Sequence, residues 1–158
     1  MSNKRRWLLT NWFSNFDPLK NPIIDDYNIK YYTVERAYQA NKTLNKEERL
    51  LFTDTNKTES EIKRLGSSIT LREDWESKKL QIMYNFVYQK YFRNPDHKKE
   101  LLHSYPYEIV EWNRWHDNFW GCCVCPKCVE KGLKGKNYLG KILMKVRVIL
   151  INGEISNQ

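Results

Sequence analysis

Apolar positions along this chain fall mostly at helical spacing, in blocks separated by polar, turn-forming segments. The best-marked block is Trp75, Ile82, Met83, Phe86 and Val87, which Asn94-Pro95 ends. Thr70 and Glu73 stand at its start as a capping box, the Thr hydroxyl and Glu carboxylate each taking an orphan amide of the first turn. A second block runs through Leu139, Ile142, Leu143, Val146, Ile149 and Leu150, with Asn137 as N-cap and Gly153 as the closing residue. A shorter helix is predicted from Val34 to about Leu44, behind Thr33 as N-cap. Residues 46–66 suggest two short helices, the second ending at Gly66 as a C′ residue, and 96–103 a short amphipathic one. Strand signals are few: 22–25 and 28–32 inside an otherwise irregular stretch with Asp17-Pro18 and Asn21-Pro22 turns, and 107–112. Residues 113–136 read as a loop. Helices with a few short strands predict a helix-dominated α+β fold, a single domain over residues 1–158.

A chain of 158 residues can bury one real core, and 41% hydrophobic against 29% charged residues describes a soluble globular protein. Aromatics at 14% are enough to furnish both a core and a ligand-stacking cleft. The net charge of +8 favours anionic partners: phosphorylated metabolites, nucleotides or nucleic acid. Trp7-Leu8-Leu9 is the only apolar run near the basic N-terminus, far too short to target or span a membrane. All four cysteines lie within 122–128, too crowded for a disulfide framework, so a cytoplasmic location is expected.

Four clusters hold chemical potential. Thr33 as N-cap puts Glu35 in the first helical turn, where free amides and the helix dipole favour an ionised carboxylate. Tyr38 and Gln39 follow one turn later. Phe13-Ser14-Asn15-Phe16 sets two polar side chains between rings, able to bind sugar hydroxyls or phosphate or simply to cap a turn. In Arg72-Glu73-Asp74-Trp75, the arginine can clamp a phosphate and the indole stack on a base, or the group can be a salt-bridged helix end with a core Trp. His116-Asp117-Asn118-Phe119-Trp120-Gly121 offers a second carboxylate beside an indole, or an Asp that caps its own turn.

Ser14-Asn15-Phe16, the Glu35-to-Lys42 helix, Lys63 and Gly66, Arg72 to Trp75 with Met83, Asp117 with Trp120-Gly121, and the run from Asn137 to Arg147 follow one another in a familiar order. In that order and spacing the chain resembles the NADAR family, also called YbiA-like, from about residue 12 to 150. The resemblance implies an N-glycosidase. Members of the family cut the N-glycosidic bond of phosphorylated ribosylaminopyrimidine intermediates of riboflavin synthesis, and others remove ADP-ribose from modified guanine. Carried over, Glu35 would steady an oxocarbenium-like ribose or activate water, and Asp117 would orient substrate or assist the leaving group. Trp75 and Trp120 would sandwich the base, and Arg72 with Lys42 would bind phosphate. Ser14, Asn15 and Asn137 would line the ribose and phosphate side, with Phe16, Tyr38, Gln39, Asp74 and Gly121 completing the binding set. The resemblance implies no cofactor for catalysis, and a phosphorylated ribosyl or ADP-ribosyl substrate, ADP-ribosylated nucleic acid included.

Three departures from the family pattern stand out. The family helix reads Glu-His where this chain has Glu35-Arg36, and Arg36 would lower the glutamate pKa if it approached. The segment before Ser14 is short and lacks the Phe-Tyr opening of relatives. The loop after Gly121 is cysteine-rich. Cys125-Pro126-Lys127-Cys128 has the form of a zinc knuckle, with Cys122 or Cys123 as a third ligand and His116 or His103 as a fourth. Such a zinc would be structural. The spacing also matches part of an iron–sulfur run without its remote cysteine, and reduced thiols on a loop are the remaining alternative. Two other function classes stay open: a basic nucleic-acid-binding module, and a catalytically inactive domain that binds ADP-ribose or a nucleotide.

Overall fold

The structure is a computed structural model that describes residues 6–8 and 13–158. Leu9 and Trp12, on which the apolar run and the start of the family likeness fall, lie outside the described residues. The chain divides into two compact units, Ser14–Pro95 and the pair of segments Met1–Phe13 and Asp96–Gln158. Among the described residues no helix is long and apolar enough to cross a membrane.

In Ser14–Pro95, strands β2 (Ile23–Ile24) and β3 (Lys30–Tyr31) form an antiparallel hairpin with Ile23 opposite Tyr31. Asp25 builds its turn: Oδ1 accepts from the amides of Tyr27 and Ile29 at 2.9 and 3.0 Å, and Asn28 takes the left-handed backbone. Helix α1 (Val34–Ala40) follows, with Thr33 as N-cap taking the Arg36 amide. It ends four residues sooner than the sequence predicts. Next come α2 (Lys46–Leu50), a 3-10 turn (Leu51–Thr53) and α3 (Glu59–Leu65), which opens on a complete Thr58–Glu61 capping box. The long helix α4 (Trp75–Arg93) closes the unit, burying Trp75, Met83, Phe86, Val87 and Tyr91 with Ile23, Tyr31, Val34, Ala37, Phe52 and Ile62 in the core. The Gln89 amide holds α4 to the hairpin by bonding both backbone groups of Ile24.

The other unit pairs β1 (Arg6–Leu8) with β4 (Glu108–Val110) in parallel, and β5 (Trp112–Asn113) with β6 (Cys122–Cys123) likewise. Helix α5 (Pro95–His103) leads into them and the short α6 (Pro126–Glu130) follows β6. The last helix, α7 (Tyr138–Ser156), lays Leu139, Ile142, Leu143, Val146 and Leu150 into a core with Leu101, Ile109 and Val110. Gly140 is required where α7 crosses β4, because a Cβ there would stand 2.3 Å from the Ile109 carbonyl oxygen.

Several local expectations give way to tertiary partners. Thr70 does not cap α4, because its amide and hydroxyl both bond Glu48, and the helix starts five residues later behind Asp74. Helix α3 does end at Gly66, as C-cap and with right-handed backbone (φ −58°), its amide bonding the Ile62 carbonyl. The lack of a side chain at Gly66 serves a close approach, since a Cβ would lie 1.9 Å from Gln39 Oε1. Gly153 does not stop α7, as one glycine costs a helix only about 1 kcal/mol and nothing else contests the backbone there. Ile149 is 38% exposed and lies off the buried stripe. The 107–112 strand divides at Glu111, and the 113–136 loop contains β6 and α6.

Candidate functional site

The chemistry in Ser14–Pro95 gathers around α1. Glu35 is only 7% exposed, and its Oε1 accepts a 2.8 Å hydrogen bond from Gln39 Nε2 one turn on. Its amide donates to the Asn15 carbonyl at 3.0 Å, which brings the Ser14-Asn15 loop to the start of the helix. Burial raises the Glu35 pKa above the ordinary glutamate value, against the Gln39 hydrogen bond and the charges of Lys63 and Lys42, which lower it. The helix start favours the charged form, but desolvation outweighs it and the other favourable contacts, so the net shift is upward. Lys63 is the influential neighbour that the sequence reading passed over as a site residue.

Arg36 does not approach Glu35. Its guanidinium bonds Glu59 Oε1 through Nε at 2.7 Å, and the carbonyls of Phe52, Asp54 and Lys57 through its two terminal nitrogens. The arginine ties α1 to the segment ahead of α3.

Around the same helix, Tyr38 packs on Trp75 with centroids 5.1 Å apart, and Lys42 Nζ lies 5.7 and 5.9 Å from the two rings. Trp75 is 6% exposed, so its ring faces are largely covered. Burial lowers the Lys42 pKa while Glu35 raises it. Arg72 is held by Asp74 in a two-pronged pair, and its amide donates to the Lys42 carbonyl at 2.7 Å. Asn15 Nδ2 reaches Met83 Sδ at 3.6 Å, while Ser14 Oγ caps the Phe16 amide, leaving the Phe16 ring 38% exposed. Beneath them the fully buried Lys90 donates to the Ser14 carbonyl at 2.8 Å, and burial pushes its pKa down to about 7. The signal for it was a lysine on the apolar face of α4.

The remaining predicted residues lie in the other unit. Asp117 Oδ1 accepts from the amides of Phe119 and Trp120 at 3.0 and 2.8 Å, building the turn that presents the half-buried Trp120 indole. Phe119 meets Trp120 edge-on at 4.8 Å and Tyr138 at 4.9 Å. Gly121 passes so close to Glu111 that a Cβ would lie 2.2 Å from its carbonyl oxygen. Asn137 stands before α7 in the left-handed region (φ 51°) and makes no capping bond with its side chain. Instead its Oδ1 accepts from the Glu111 amide at 2.9 Å and its Nδ2 donates to the Ile109 carbonyl at 3.0 Å.

The cysteine loop also lies in this unit. His116 Nδ1 sits 3.2 Å from Cys125 Sγ and 3.4 Å from Cys128 Sγ. Together with Cys123 Sγ, the four donor atoms lie within 4.8 Å of one another and could hold a metal ion. Of the alternatives left open by spacing, Cys123 and His116 join the knuckle pair, while Cys122 and His103 are not in the group.

Residues 2–151 match the NADAR domain, and the chain belongs to the NADAR family, enzymes that hydrolyse N-glycosyl bonds. It is 35% identical over 145 residues to an N-glycosidase of Nostoc punctiforme, covering 89% of this chain and 86% of that protein. It is 31% identical over 157 residues to a chloroplastic riboflavin biosynthesis protein of Zea mays, PYRR, covering 90% of this chain but only 24% of that much longer relative. The NMR structure of the E. coli protein YbiA superposes with a TM-score of 0.79 at 27% identity, over 98% of this chain and 90% of that one. The α+β fold is thus that of YbiA.

Proposed function

We propose that this chain hydrolyses the ribose C–N bond of a phosphorylated ribosyl or ADP-ribosyl substrate, with Glu35 as the carboxylate acting at the anomeric carbon. When that bond breaks, its electron pair leaves with nitrogen, which takes up a proton replaced in turn by the one the attacking water gives up, and positive charge spreads over C1 and the ring oxygen. An adjacent carboxylate stabilises that charge, or takes a proton from the water that adds to C1.

The observation that carries the reading is Glu35 itself: buried, pinned by Gln39, and under the charges of Lys63 and Lys42. Burial and cations pull its pKa in opposite directions, which suits a group that must both hold and release a proton. Lys42, beside the buried Tyr38–Trp75 ring pair, supplies a cation for phosphate. The Zea mays relative is named for riboflavin biosynthesis, which agrees with the ribosylaminopyrimidine phosphates that the family resemblance implies; the +8 net charge suits any phosphorylated substrate. No cofactor enters this chemistry, and the Cys/His cluster is read as serving the fold.

The test is incubation with a ribosylaminopyrimidine phosphate and with ADP-ribosylated guanosine or DNA, following released ribose phosphate or ADP-ribose. Glu35→Gln should reduce turnover by about 10²–10⁴-fold with an unchanged near-ultraviolet circular dichroism spectrum. Folded wild-type protein that turns over neither substrate sinks the reading, and so does full activity in Glu35→Gln.

A further inference from the structure

From Cys122 to Lys136 the chain has almost nothing apolar to fold around. Val124, Val129 and Leu133 are 43, 63 and 51% exposed, and the buried side chains of this stretch are Cys123, Cys125 and Cys128. Three thiols form a cluster of their own, with no aliphatic or aromatic member. Burial of that size cannot hold a five-residue helix, α6, and its flanking loops in place. Something stronger than apolar contact is required.

The donor geometry supplies it. In a tetrahedral zinc site, bond lengths of about 2.3 Å to sulfur and 2.0–2.1 Å to nitrogen put the donor atoms roughly 3.5–3.8 Å apart. The Nδ1–Sγ separations of 3.2 and 3.4 Å lie near that spacing, and with all four donors within 4.8 Å of one another, one ion at their centre need draw the widest pair in by no more than about 1 Å. A two-iron cluster would spread its ligands over two metal ions, too wide for this group. The sulfurs are also furnished as thiolates are. Cys123 Sγ faces the amides of His116 and Cys125 at 3.3 and 3.5 Å, Cys125 Sγ the Cys128 amide at 3.4 Å, and Cys128 Sγ the Asn118 side-chain amide at 3.5 Å. These N–H groups would offset the negative charge of three thiolates around one divalent cation. His116 adopts a left-handed backbone (φ 68°), unusual for a residue with a Cβ, while its ring meets the thiols.

We propose that His116, Cys123, Cys125 and Cys128 bind one zinc ion, a structural centre that fastens α6 and the 113–123 turn to the start of α7. Asn118 relays the restraint. Its side chain bonds both Cys128 Sγ and the Cys123 amide, and its carbonyl accepts from Lys136 at 2.8 Å. The Phe119 and Trp120 carbonyls then take the amides of Tyr138 and Leu139. The inference stands apart from the hydrolytic reading, and its readouts need no substrate.

The test is metal analysis of the whole chain purified without chelator. About one zinc per chain is expected in wild type and in Cys122→Ser, and about a tenfold lower content in Cys125→Ser and Cys128→Ser. Should the knuckle variants fold poorly, cobalt added to chelator-stripped wild type gives the answer: tetrahedral d–d bands with thiolate charge transfer. Stripping should also speed tryptic cleavage at Lys127, Lys131 and Lys134. Wild type with negligible zinc and no cobalt bands overturns the proposal, as do iron with inorganic sulfide, or equal zinc loss in Cys122→Ser and Cys125→Ser.

Discussion

Replacing Arg36 by alanine should damage stability and spare the chemistry. The guanidinium has a 2.7 Å ion pair to Glu59 and bonds to the carbonyls of Phe52, Asp54 and Lys57, with side-chain exposures of 10% for Arg36 and 19% for Glu59. Breaking a buried pair by deleting one partner costs about 3–5 kcal/mol, since the survivor stays desolvated. Glu59 keeps one partner, the Thr33 hydroxyl at 2.7 Å, so the lower end applies. A loss of about 3 kcal/mol is roughly a fifth to three-fifths of ordinary domain stability, and with a urea m-value near 2 kcal/mol/M it moves the midpoint by about 1.5 M. Arg36→Lys, with a compact head that reaches fewer of these acceptors, should lose about half as much. The assay is urea unfolding followed by tryptophan fluorescence, together with turnover normalised to folded protein. A loss below about 1 kcal/mol refutes the clamp. Turnover that collapses while stability holds refutes it differently, by moving Arg36 into the reaction.

Because burial raises the Glu35 pKa, a reaction that needs its carboxylate should lose rate on acidification with an inflection above the usual glutamate range, about 4.3. Lys63→Met removes a cation that lowers that pKa, so the inflection of the kcat profile should move further up; a downward move contradicts the assignment. The linkage to stability has the opposite sense: a raised carboxylate pKa stabilises below the unfolded value and loses that contribution as pH rises through the folded one. Glu35→Gln should therefore gain stability over wild type at pH 8 relative to pH 5, read from thermal melts, and a gain confined to acid pH contradicts this. Asn137→Ala gives up two buried hydrogen bonds and a residue tolerant of left-handed backbone, and should cost about 2–3 kcal/mol by chemical denaturation. A raised KM with unchanged stability would assign Asn137 to substrate instead.

What could be read from sequence was what local chemistry decides. Thr33 caps α1 because its hydroxyl needs only the amide three residues on, and Asn94-Pro95 ends α4 because proline disfavours helix before it. Two of the misses come from a distant competitor. Thr70 goes to Glu48, and the Asn137 side chain to Ile109 and Glu111 in place of its own helix. The pKa of Glu35 turned on burial, which no local pattern reports. The choice between Cys122 and Cys123 needed the pairing of β6 with β5: successive strand residues face opposite ways, so only one of two adjacent cysteines can point into the cluster.

Gly66 touches no charge and offers no functional group, yet it controls how the carboxylate is held. A single methyl group there would collide with Gln39 Oε1, 1.9 Å away, and the Gln39 amide is what restrains Glu35. The three positions are physically coupled: a side chain at 66 requires the Gln39 amide to turn away or shorten, and either frees the glutamate. A bare, buried backbone position is therefore as sensitive to enlargement as the acid it indirectly serves.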